Sequence, residues 1–391
     1  MTVPHSAEHP SDRSADDTGA IPTVPAAPAT SEEPAEMPRR ALILGESAMA
    51  LDLEQAYKRM GFDTRVGAAS IAEAFYPGII VTSGDAEDTI ETVEEVSQRV
   101  GAVVAPSVEA CRHTADRMAV RKQANEELGL PVLDYEFAAT PQEMHDAVER
   151  IGYPCVVKSP TSKDGEGFSF VHSDADLADA WRSADRGLGQ GAVVERFIDF
   201  DFEVTILAAR SIDPSTGELA TWFCEPIGTR HREGRLVESW QPAPLPEAAM
   251  DNARSIAARI VGALASCGIF SVEMFVSGDD VYFSQVTPRP SRDGLVTFVT
   301  QRINQFDLQA RATQRLPIDS TLISPGAVRF LEGHPSQAAL AAAMAVEEVT
   351  VRMLGDGTLV LATADSAAEA RQRTDEAVRE IHKIDGKPGE N

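Results

Sequence analysis

Basic residues are scarce in this chain of 391 residues, in which 35 lysines and arginines face 61 aspartates and glutamates. The formal net charge is −26, and a chain of that charge repels the phosphate backbone of nucleic acids at long range. The composition therefore predicts that nucleic acid is not a partner. A phosphorylated small molecule can still bind, because a few local arginines and lysines outweigh the net charge at short range.

Paired cysteines and long apolar runs are absent from the sequence. None of its four cysteines forms a C-x-x-C motif, which favours reduced intracellular thiols over a disulfide framework or a zinc site. No apolar run approaches the length of a membrane span, and the N-terminus lacks the basic start and apolar stretch of a signal peptide. We expect a soluble, cytoplasmic protein with no membrane partner.

Residues 1–38 have no periodic apolar pattern and are rich in proline, alanine, serine, threonine, aspartate and glutamate. Such a segment cannot bury enough apolar surface to offset its ordering entropy, so we predict a disordered tail. Order is expected to begin at Arg40. From there, short apolar strands alternate with helices over residues 39–112, which predicts a small parallel α/β domain.

The middle of the chain mixes helices with strands that are expected to form hairpins. Amphipathic helices are predicted at 116–128 and 141–150. A strand at 153–158 ends on a lysine, a polar loop follows, and the chain returns as a strand at 168–171, which predicts a hairpin. Strands at 192–197 and 202–208, a long helix at 246–266, a second hairpin over 270–286, and a C-terminal unit of two strands and a helix over 348–381 complete the pattern.

An ATP site needs cations for the phosphates and acidic groups for the ribose and a metal ion. Lys158 ends a strand that would hold its stem, and the polar loop at 161–167 could close over phosphates with its backbone N–H groups. Glu195 and Glu203 lie near strand ends, where a carboxylate can accept hydrogen bonds from ribose hydroxyls. Each residue alone also has a commonplace explanation, since a lysine at a strand end is usually a solvated charge.

Two side chains of the second hairpin are candidates for one ion. Glu273 and Gln285 lie on its two arms at nearly equal distances from the turn. Cross-strand neighbours can direct both side chains at the same cation. Glu273 also fits the alternative of an outward-facing position on the strand.

Six short motifs stand in one order along the chain: YPCVVK at 153–158, VE at 194–195, DFE at 201–203, ESWQP at 238–242, SVE at 271–273 and PRP at 288–290. In this order they closely resemble the ATP-grasp family of formate-dependent phosphoribosylglycinamide formyltransferases, most closely over residues 117–316. The resemblance implies an α/β protein of the ATP-grasp fold. Its expected parts are an N-terminal parallel α/β (pre-ATP-grasp) domain at 39–112, an ATP-grasp domain at 113–316 and a small C-terminal α+β domain at 317–391.

The resemblance also implies roles for single residues. Glu273 would ligate a metal ion with Gln285 at the second ligand position, and Arg289 would be catalytic and face the phosphates. The implied ATP contacts are Arg117, Lys158, Glu195, Ile198 and Glu203.

The implied cofactors are ATP and Mg²⁺, and the implied partners are a small carboxylate and an amine. ATP would phosphorylate formate or another small carboxylate, and the amine would attack the acyl phosphate. The enzyme would contribute mainly positioning and charge stabilisation. Members of the family also suggest a homodimer.

Two departures from the family pattern lie where phosphoryl transfer would occur. Gln285 stands where the family has a second metal-binding glutamate, which removes one negative charge from a site for Mg²⁺, an ion that prefers carboxylates. Glu166 stands where the family's loop has a lysine. A unit charge contact at about 4 Å is worth roughly 4 kcal/mol at an effective dielectric near 20, so this reversal of sign opposes closure on ATP.

The positions that would hold the family's ribonucleotide substrate differ as well. The two substrate loops read Gly45–Met49 and Val81–Asp85 without the family's acidic pattern, and Arg292 stands at its aspartate position with Asp293 one place later. The family's C-terminal basic insertion is absent. Nearby acidic residues would substitute if the alignment is shifted, but we favour a changed amine acceptor, because all the differing residues touch the same ligand.

Three hypotheses follow from the sequence. The first is an ATP-dependent ligase-like enzyme of this type with an altered acceptor. The second is a genuine glycinamide ribonucleotide formyltransferase of purine biosynthesis. The third is a non-catalytic nucleotide-binding protein, which Gln285 and Glu166 motivate.

Overall fold

The protein is seen in a computed structural model that describes residues 39–84, 86–161, 167–232, 234–355 and 357–386. The tail predicted at 1–38 lies outside the described residues. So do Asp85 and Glu166, the latter with most of the polar loop that follows Lys158.

Parallel strands form the first sheet, as predicted. Its strands are β1 (Arg40–Leu44), β2 (Asp63–Gly67), β3 (Ile79–Thr82) and β4 (Val103–Ala105), in the order β2-β1-β3-β4. Around the sheet lie α1 (Ala48–Arg59), α2 (Ala72–Phe75), α3 (Ile90–Val100) and α4 (Val108–Ala115). Strand β2 was not predicted, because Val66 is its one large apolar residue and the strand lies at the edge of the sheet.

An antiparallel sheet holds Lys158 and Glu195. It is formed by β5 (Tyr135–Ala138), β6 (Cys155–Lys158), β7 (Ser169–Val171) and β8 (Ala192–Arg196), in the order β5-β8-β6-β7. Its helices are α6 (Pro141–Ile151) and α7 (Leu177–Asp185), with α5 (Arg117–Lys122) preceding them. The pairing of β6 with β7 confirms the predicted hairpin. The helix predicted over 116–128 is α-helical only to Lys122 and continues as a π-helical turn over Gln123–Glu127.

A large antiparallel sheet occupies the rest of the chain. Along it the strands run β14-β13-β9-β11-β12-β15-β17-β16, with β10 paired to β9. Their bounds are β9 (Phe202–Ile212), β10 (Leu219–Phe223), β11 (Ile227–Arg232), β12 (Arg235–Gln241), β13 (Gly268–Ser277), β14 (Asp280–Thr287), β15 (Gly326–Glu332), β16 (Val349–Leu354) and β17 (Gly357–Thr363). The remaining helices are α8 (Glu247–Leu264), α9 (Thr297–Thr300), α10 (Gln305–Thr313), α11 (Gln337–Ala343) and α12 (Ala367–Asp385).

The C-terminal strands continue this same sheet. Strand β15 pairs with β12 on one side and with β17 on the other, so hydrogen bonds cross the boundary predicted near residue 316. The domain bounds therefore remain a prediction about folding units, since no separate C-terminal sheet marks them in the described residues.

Helix α8 supports the strands that carry Glu203 and Glu273. Its buried side chains recur every three or four residues, which turns one apolar face to the core. That face belongs to the same core as Val204 on β9 and Phe270 on β13. Within the described residues, no helix is long and apolar enough to cross a membrane.

Candidate active site

A buried carboxylate joins Lys158 to a helix that precedes it in the chain. Lys158 Nζ donates a hydrogen bond to Glu195 Oε2 at 2.7 Å, and the guanidinium of Arg121 lies 2.7 Å from Glu195 Oε1. The Glu195 and Arg121 side chains are each 4% exposed. Antiparallel pairing of β6 with β8 brings Lys158 to Glu195, and α5 supplies Arg121.

The charges in this cluster balance one another. Burial by itself would raise the pKa of Glu195, but the charges of Arg121 and Lys158 outweigh it and lower that pKa to about 2. Burial lowers the pKa of Lys158, and Glu195 opposes this change. Because Glu195 stays ionised 2.7 Å from the ammonium, we treat Lys158 as charged at neutral pH. Both Glu195 oxygens bind cations here, so its predicted contact with a nucleotide stays a prediction.

Arg117 interacts electrostatically with this cluster and with a carboxylate of the large sheet. It is the first residue of α5 and is half-buried, and Asp116 caps the helix through the backbone N–H groups of Met118 and Ala119. Burial lowers the pKa of Arg117, while the negative charges of Glu273 and Glu195 oppose that change. The guanidinium is thus close enough to interact with both groups of charges.

The predicted hairpin places Glu273 directly opposite Gln285. Strands β13 and β14 pair at these two residues, and Gln285 Nε2 donates to Glu273 Oε1 at 3.1 Å. On its other side, Glu273 is paired with Thr205 of β9. Burial, followed by the charge of Asp293, raises the pKa of Glu273 to about 7.

Glu203 is held by a histidine that was not predicted as a site residue. His231 Nδ1 lies 2.7 Å from Glu203 Oε2. Burial would lower the pKa of His231, but the hydrogen bond and charge of Glu203 raise it to about 9, with help from Asp293 and Glu273. Asp293 is 7% exposed, and the Thr205 hydroxyl donates to its Oδ2 at 2.7 Å. Burial raises the pKa of Asp293 as well.

Comparison with known proteins identifies the family of this chain. A model of the ATP-grasp domain matches residues 123–306. A formate-dependent phosphoribosylglycinamide formyltransferase from Corynebacterium efficiens is 41% identical over 375 residues, covering 85% of this chain and 93% of its own. One from Corynebacterium jeikeium is 48% identical over 304 residues, covering 73% and 74%. The chain belongs to the family of formate-dependent phosphoribosylglycinamide formyltransferases.

Solved structures agree with the predicted α/β ATP-grasp fold, which is thereby confirmed. The transformylase described as glycinamide-RNase-transformylase T from Mycobacterium tuberculosis superposes with a TM-score of 0.74 at 31% identity, covering 88% of this chain and 99% of its own. An ATP complex of carboxyaminoimidazole ribonucleotide synthase from Aspergillus clavatus has a TM-score of 0.77 at 19% identity, covering 89% and 99%. At 19% identity, the similarity to this second protein shows a shared fold alone.

Arg289 of the family's Pro-Arg-Pro motif lies at the parallel sheet. Its side chain fills the space above Gly84, where an added Cβ would overlap the guanidinium, and Gly84 has φ of +95°. Gly84 follows β3, next to β1 at the point where strand order reverses, and ligands of open α/β sheets bind in such crevices. Burial raises the pKa of Cys111, and the positive charge of Arg289 opposes this rise.

Ile198 is half-buried in the connection between β8 and β9, beside the strands that carry Glu195 and Glu203. The structure thus joins Lys158 to Glu195 by an ion pair, and the charges of Glu195 and Glu273 both act on Arg117. Arg289 lies instead against the parallel sheet, at Gly84.

Arg121 and His231 are the residues that sequence reasoning missed. A helical spacing of four residues from Arg117 was the available signal for Arg121, because residues i and i+4 share a helix face. His231 required the strand register, since it reaches Glu203 across the pairing of β11 with β9.

A surface cavity of about 900 Å³ borders other residues of α5. Its walls include Met118, Lys122, Tyr135 and Arg196, and neither Lys158 nor Glu273 lines it. Arg196 on its wall is ion-paired with Asp134 at 2.8 Å. We assign the chemistry to the convergence of charges around Arg117 and not to this cavity.

Proposed function

We propose that this protein uses ATP to phosphorylate formate or another small carboxylate and transfers the acyl group to an amine. The observation that carries the proposal is the buried cluster in which Lys158 and Arg121 each lie 2.7 Å from Glu195. Arg117, on the same helix as Arg121, feels the charges of both Glu195 and Glu273. Cations for phosphates and carboxylates for a metal ion therefore meet at one place, although they come from distant segments of the chain.

The residues of the site fit separate tasks. Lys158 and Arg117 would bind the phosphates, because both retain cationic side chains in a partly buried setting where charge interactions are strong. His231 would hold Glu203 in position for a nucleotide hydroxyl through their 2.7 Å contact. The γ-phosphoryl group would pass to the carboxylate oxygen, and the amine would then attack the acyl carbon and release phosphate.

The donor set of this site fits Mg²⁺. Glu273 offers a carboxylate oxygen and Gln285 an amide oxygen, and oxygen atoms are the hard ligands that the ion prefers. When bound, the ion would neutralise charge on the transferred phosphoryl group. Glu273 is the residue of this set that the family pattern assigns to the metal.

The acceptor is the part of the proposal in which the chain departs from its named relatives. Three C-terminal arginines are bound by carboxylates: Arg352 by Asp52 at 2.8 Å, Arg371 by Glu238 at 2.9 Å and Arg373 by Glu369 at 3.0 Å. These ion pairs neutralise the cations nearest in sequence to the missing basic insertion. They support an amine acceptor other than glycinamide ribonucleotide.

The names of the relatives favour the second candidate, in which glycinamide ribonucleotide itself is the acceptor. One assay distinguishes the two. The protein is incubated with ATP, Mg²⁺, formate and a panel of amines that includes this ribonucleotide, and both ADP and formylated products are measured. A formylated ribonucleotide formed faster than any other product would establish the second candidate and remove the altered acceptor.

A variant pair tests the phosphate-binding role in the same assay. We expect Lys158→Met to lower the rate of ADP formation by about 10²-fold or more, as for other preorganised charge contacts to a reacting group. Lys122→Met, on the exposed face of α5, is the matched control and should keep the wild-type rate. If no ADP forms above background with any carboxylate and amine, the proposed catalytic activity is refuted. That result would favour a non-catalytic nucleotide-binding protein.

A homodimer and a cytoplasmic location also remain proposals. Size-exclusion chromatography with light scattering tests the first, and a monomeric mass would contradict it.

A further inference from the structure

The side chain of Gln305 is hydrogen-bonded twice to the backbone of one residue, Ser291. Gln305 is the first residue of α10 and is fully buried. The backbone N–H of Ser291 donates to Gln305 Oε1 at 3.0 Å, and Gln305 Nε2 donates to the carbonyl oxygen of Ser291 at 2.8 Å. The amide therefore satisfies both backbone groups of Ser291, as a neighbouring strand would.

Ser291 lies in a short segment, residues 288–293, that carries Arg289 beyond the end of β14. The ladder between β13 and β14 stops at the pair of Ser271 with Thr287. Past that pair, the fully buried Ser271 hydroxyl donates to the carbonyl oxygen of Arg289 at 3.3 Å. A side chain thus takes over from the ladder next to Arg289.

The far end of the segment is held in the same manner. The Ser239 hydroxyl, also fully buried, donates to the carbonyl oxygen of Asp293 at 3.0 Å. A Cβ added to Gly294 would overlap the amide oxygen of Gln305, so glycine leaves the room that this amide occupies. Ser239 and Ser271 belong to the ESWQP and SVE motifs. An amide and two hydroxyls from three different elements therefore hold the backbone of the segment.

We propose that Gln305 is a positioning residue, which fixes the segment 288–293 and thereby holds Arg289 over Gly84 for the reaction. The inference rests on the proposed function, with Arg289 as the group that acts on the reactants. The backbone of Arg289 is anchored on β13, whereas its guanidinium fills the space above Gly84 at the parallel sheet. A shift of the segment therefore moves the guanidinium, and a misplacement of about 1 Å can cost about 10²-fold in rate.

Chemical modification of Arg289 tests this positioning without turnover. Phenylglyoxal, which reacts with guanidinium groups, is added to the full chain, and modification of Arg289 is followed by site-resolved mass spectrometry. Gln305→Met removes both hydrogen bonds to Ser291 at nearly the same side-chain volume. We expect Arg289 to be modified faster in this variant than in the wild type, because a segment with fewer hydrogen bonds opens more often.

Gln309→Met is the matched control. Gln309 lies one turn further along α10, is also fully buried, and its Oε1 accepts a hydrogen bond from the backbone N–H of Ile269 at 2.6 Å. The change removes a buried amide of the same kind but leaves the contacts of the segment 288–293 in place. Arg289 should then be modified at the wild-type rate. Equal acceleration in the two variants would indicate a general loosening and overturn the proposal.

Kinetics in the ADP assay complete the test. Gln305→Met should lower kcat by about 10- to 10²-fold. The KM for ATP should show no matching rise, because the ion pair of Lys158 with Glu195 is formed on another sheet. Gln309→Met should keep the wild-type kcat. Ser271→Ala removes the hydrogen bond to Arg289 and should show a smaller change of the same kind; it decides the question if circular dichroism shows that Gln305→Met does not fold.

The assignment is overturned if Gln305→Met folds and its Arg289 is modified at the wild-type rate, or if faster modification leaves kcat unchanged. The same two results in Ser271→Ala overturn it if Gln305→Met does not fold. If the wild type forms no ADP with any carboxylate and amine, the proposed function itself fails. The modification rates still decide in that case whether Gln305 holds Arg289.

Discussion

Replacement of Glu195 by glutamine is the sharpest test of the buried ion cluster. Glu195 is 3% exposed and is contacted by the two cations Lys158 and Arg121, each at 2.7 Å. Glutamine has nearly the same shape but no charge. The Glu195→Gln variant therefore leaves two cations in a buried site with no carboxylate between them.

The expected loss of stability can be worked out in two ways. The pKa of Glu195 falls from an ordinary 4.5 to about 2 in the folded protein, and at about 1.36 kcal/mol per pH unit this difference corresponds to about 3 kcal/mol. Removal of one partner from a buried ion pair typically costs about 3–5 kcal/mol. We expect the free energy of unfolding at pH 7 to fall by about 3 kcal/mol.

The same values determine how the loss depends on pH. A carboxylate with a depressed folded pKa contributes its stability above its unfolded pKa, here 4.5, and loses it as the pH falls towards about 2. The difference between the wild type and Glu195→Gln should therefore be fully present at pH 7. It should shrink to about half near pH 3.

Urea unfolding, followed by tryptophan fluorescence, measures this difference. Trp181 of α7, which packs against the core of the same antiparallel sheet, contributes to the signal. Glu136→Gln is the matched control, since Glu136 lies on β5 opposite Val194 and pairs with Arg150 at the surface. A surface pair of this kind is worth less than about 1 kcal/mol. Equal urea midpoints for the wild type and Glu195→Gln at pH 7 would show that Glu195 does not neutralise the buried cations.

Two other substitutions test the rest of the site. His231→Gln should destabilise the protein by at most about 3 kcal/mol at pH 6. Glu203 raises the pKa of His231 from 6.5 to about 9, so this stability is present below pH 6.5 and is lost as the pH rises through 9. Urea midpoints at pH 6 and 9.5 measure the loss, and a pH-independent difference would contradict the reasoning. Gly84→Ala should lower kcat/KM by about 10²-fold, because the new Cβ displaces Arg289. Gly278→Ala is the control and should leave kcat/KM unchanged, since Gly278 also has a positive φ but no described atom lies within 4 Å of the new Cβ. Equal kcat/KM values for the two variants would exclude a role of Arg289 in the reaction.

Local pattern was sufficient for the parallel sheet and two hairpins, whereas strands β5, β10, β11, β12 and β15 were not predicted. Apolar strands that end in glycine, and helices bounded by caps, predicted the parallel sheet, the hairpin of β6 and β7 and the hairpin of β13 and β14. Strand β2 escaped notice, because an edge strand with polar residues carries little apolar signal. The π-helical turn after Lys122 also left no distinct pattern in a segment that reads as one amphipathic helix.

The site itself was only partly readable from the sequence. Lys158, Glu203 and Glu273 could be named, because strand position and motif order mark them. Arg121 and His231 were missed, since each acts on a residue tens of positions away through strand pairing or helix packing.

Motif order and residue type along the chain were enough to indicate the fold, the family and the cations and carboxylates of the site. Which cation neutralises which carboxylate was decided only when the sheets and α5 came together, because ionic and hydrogen-bonded contacts depend on distances in space and not on spacing along the chain. Asp293 is the clearest case: it follows Glu273 by twenty residues in sequence, and its carboxylate accepts a hydrogen bond from Thr205, the strand partner of Glu273 on β9.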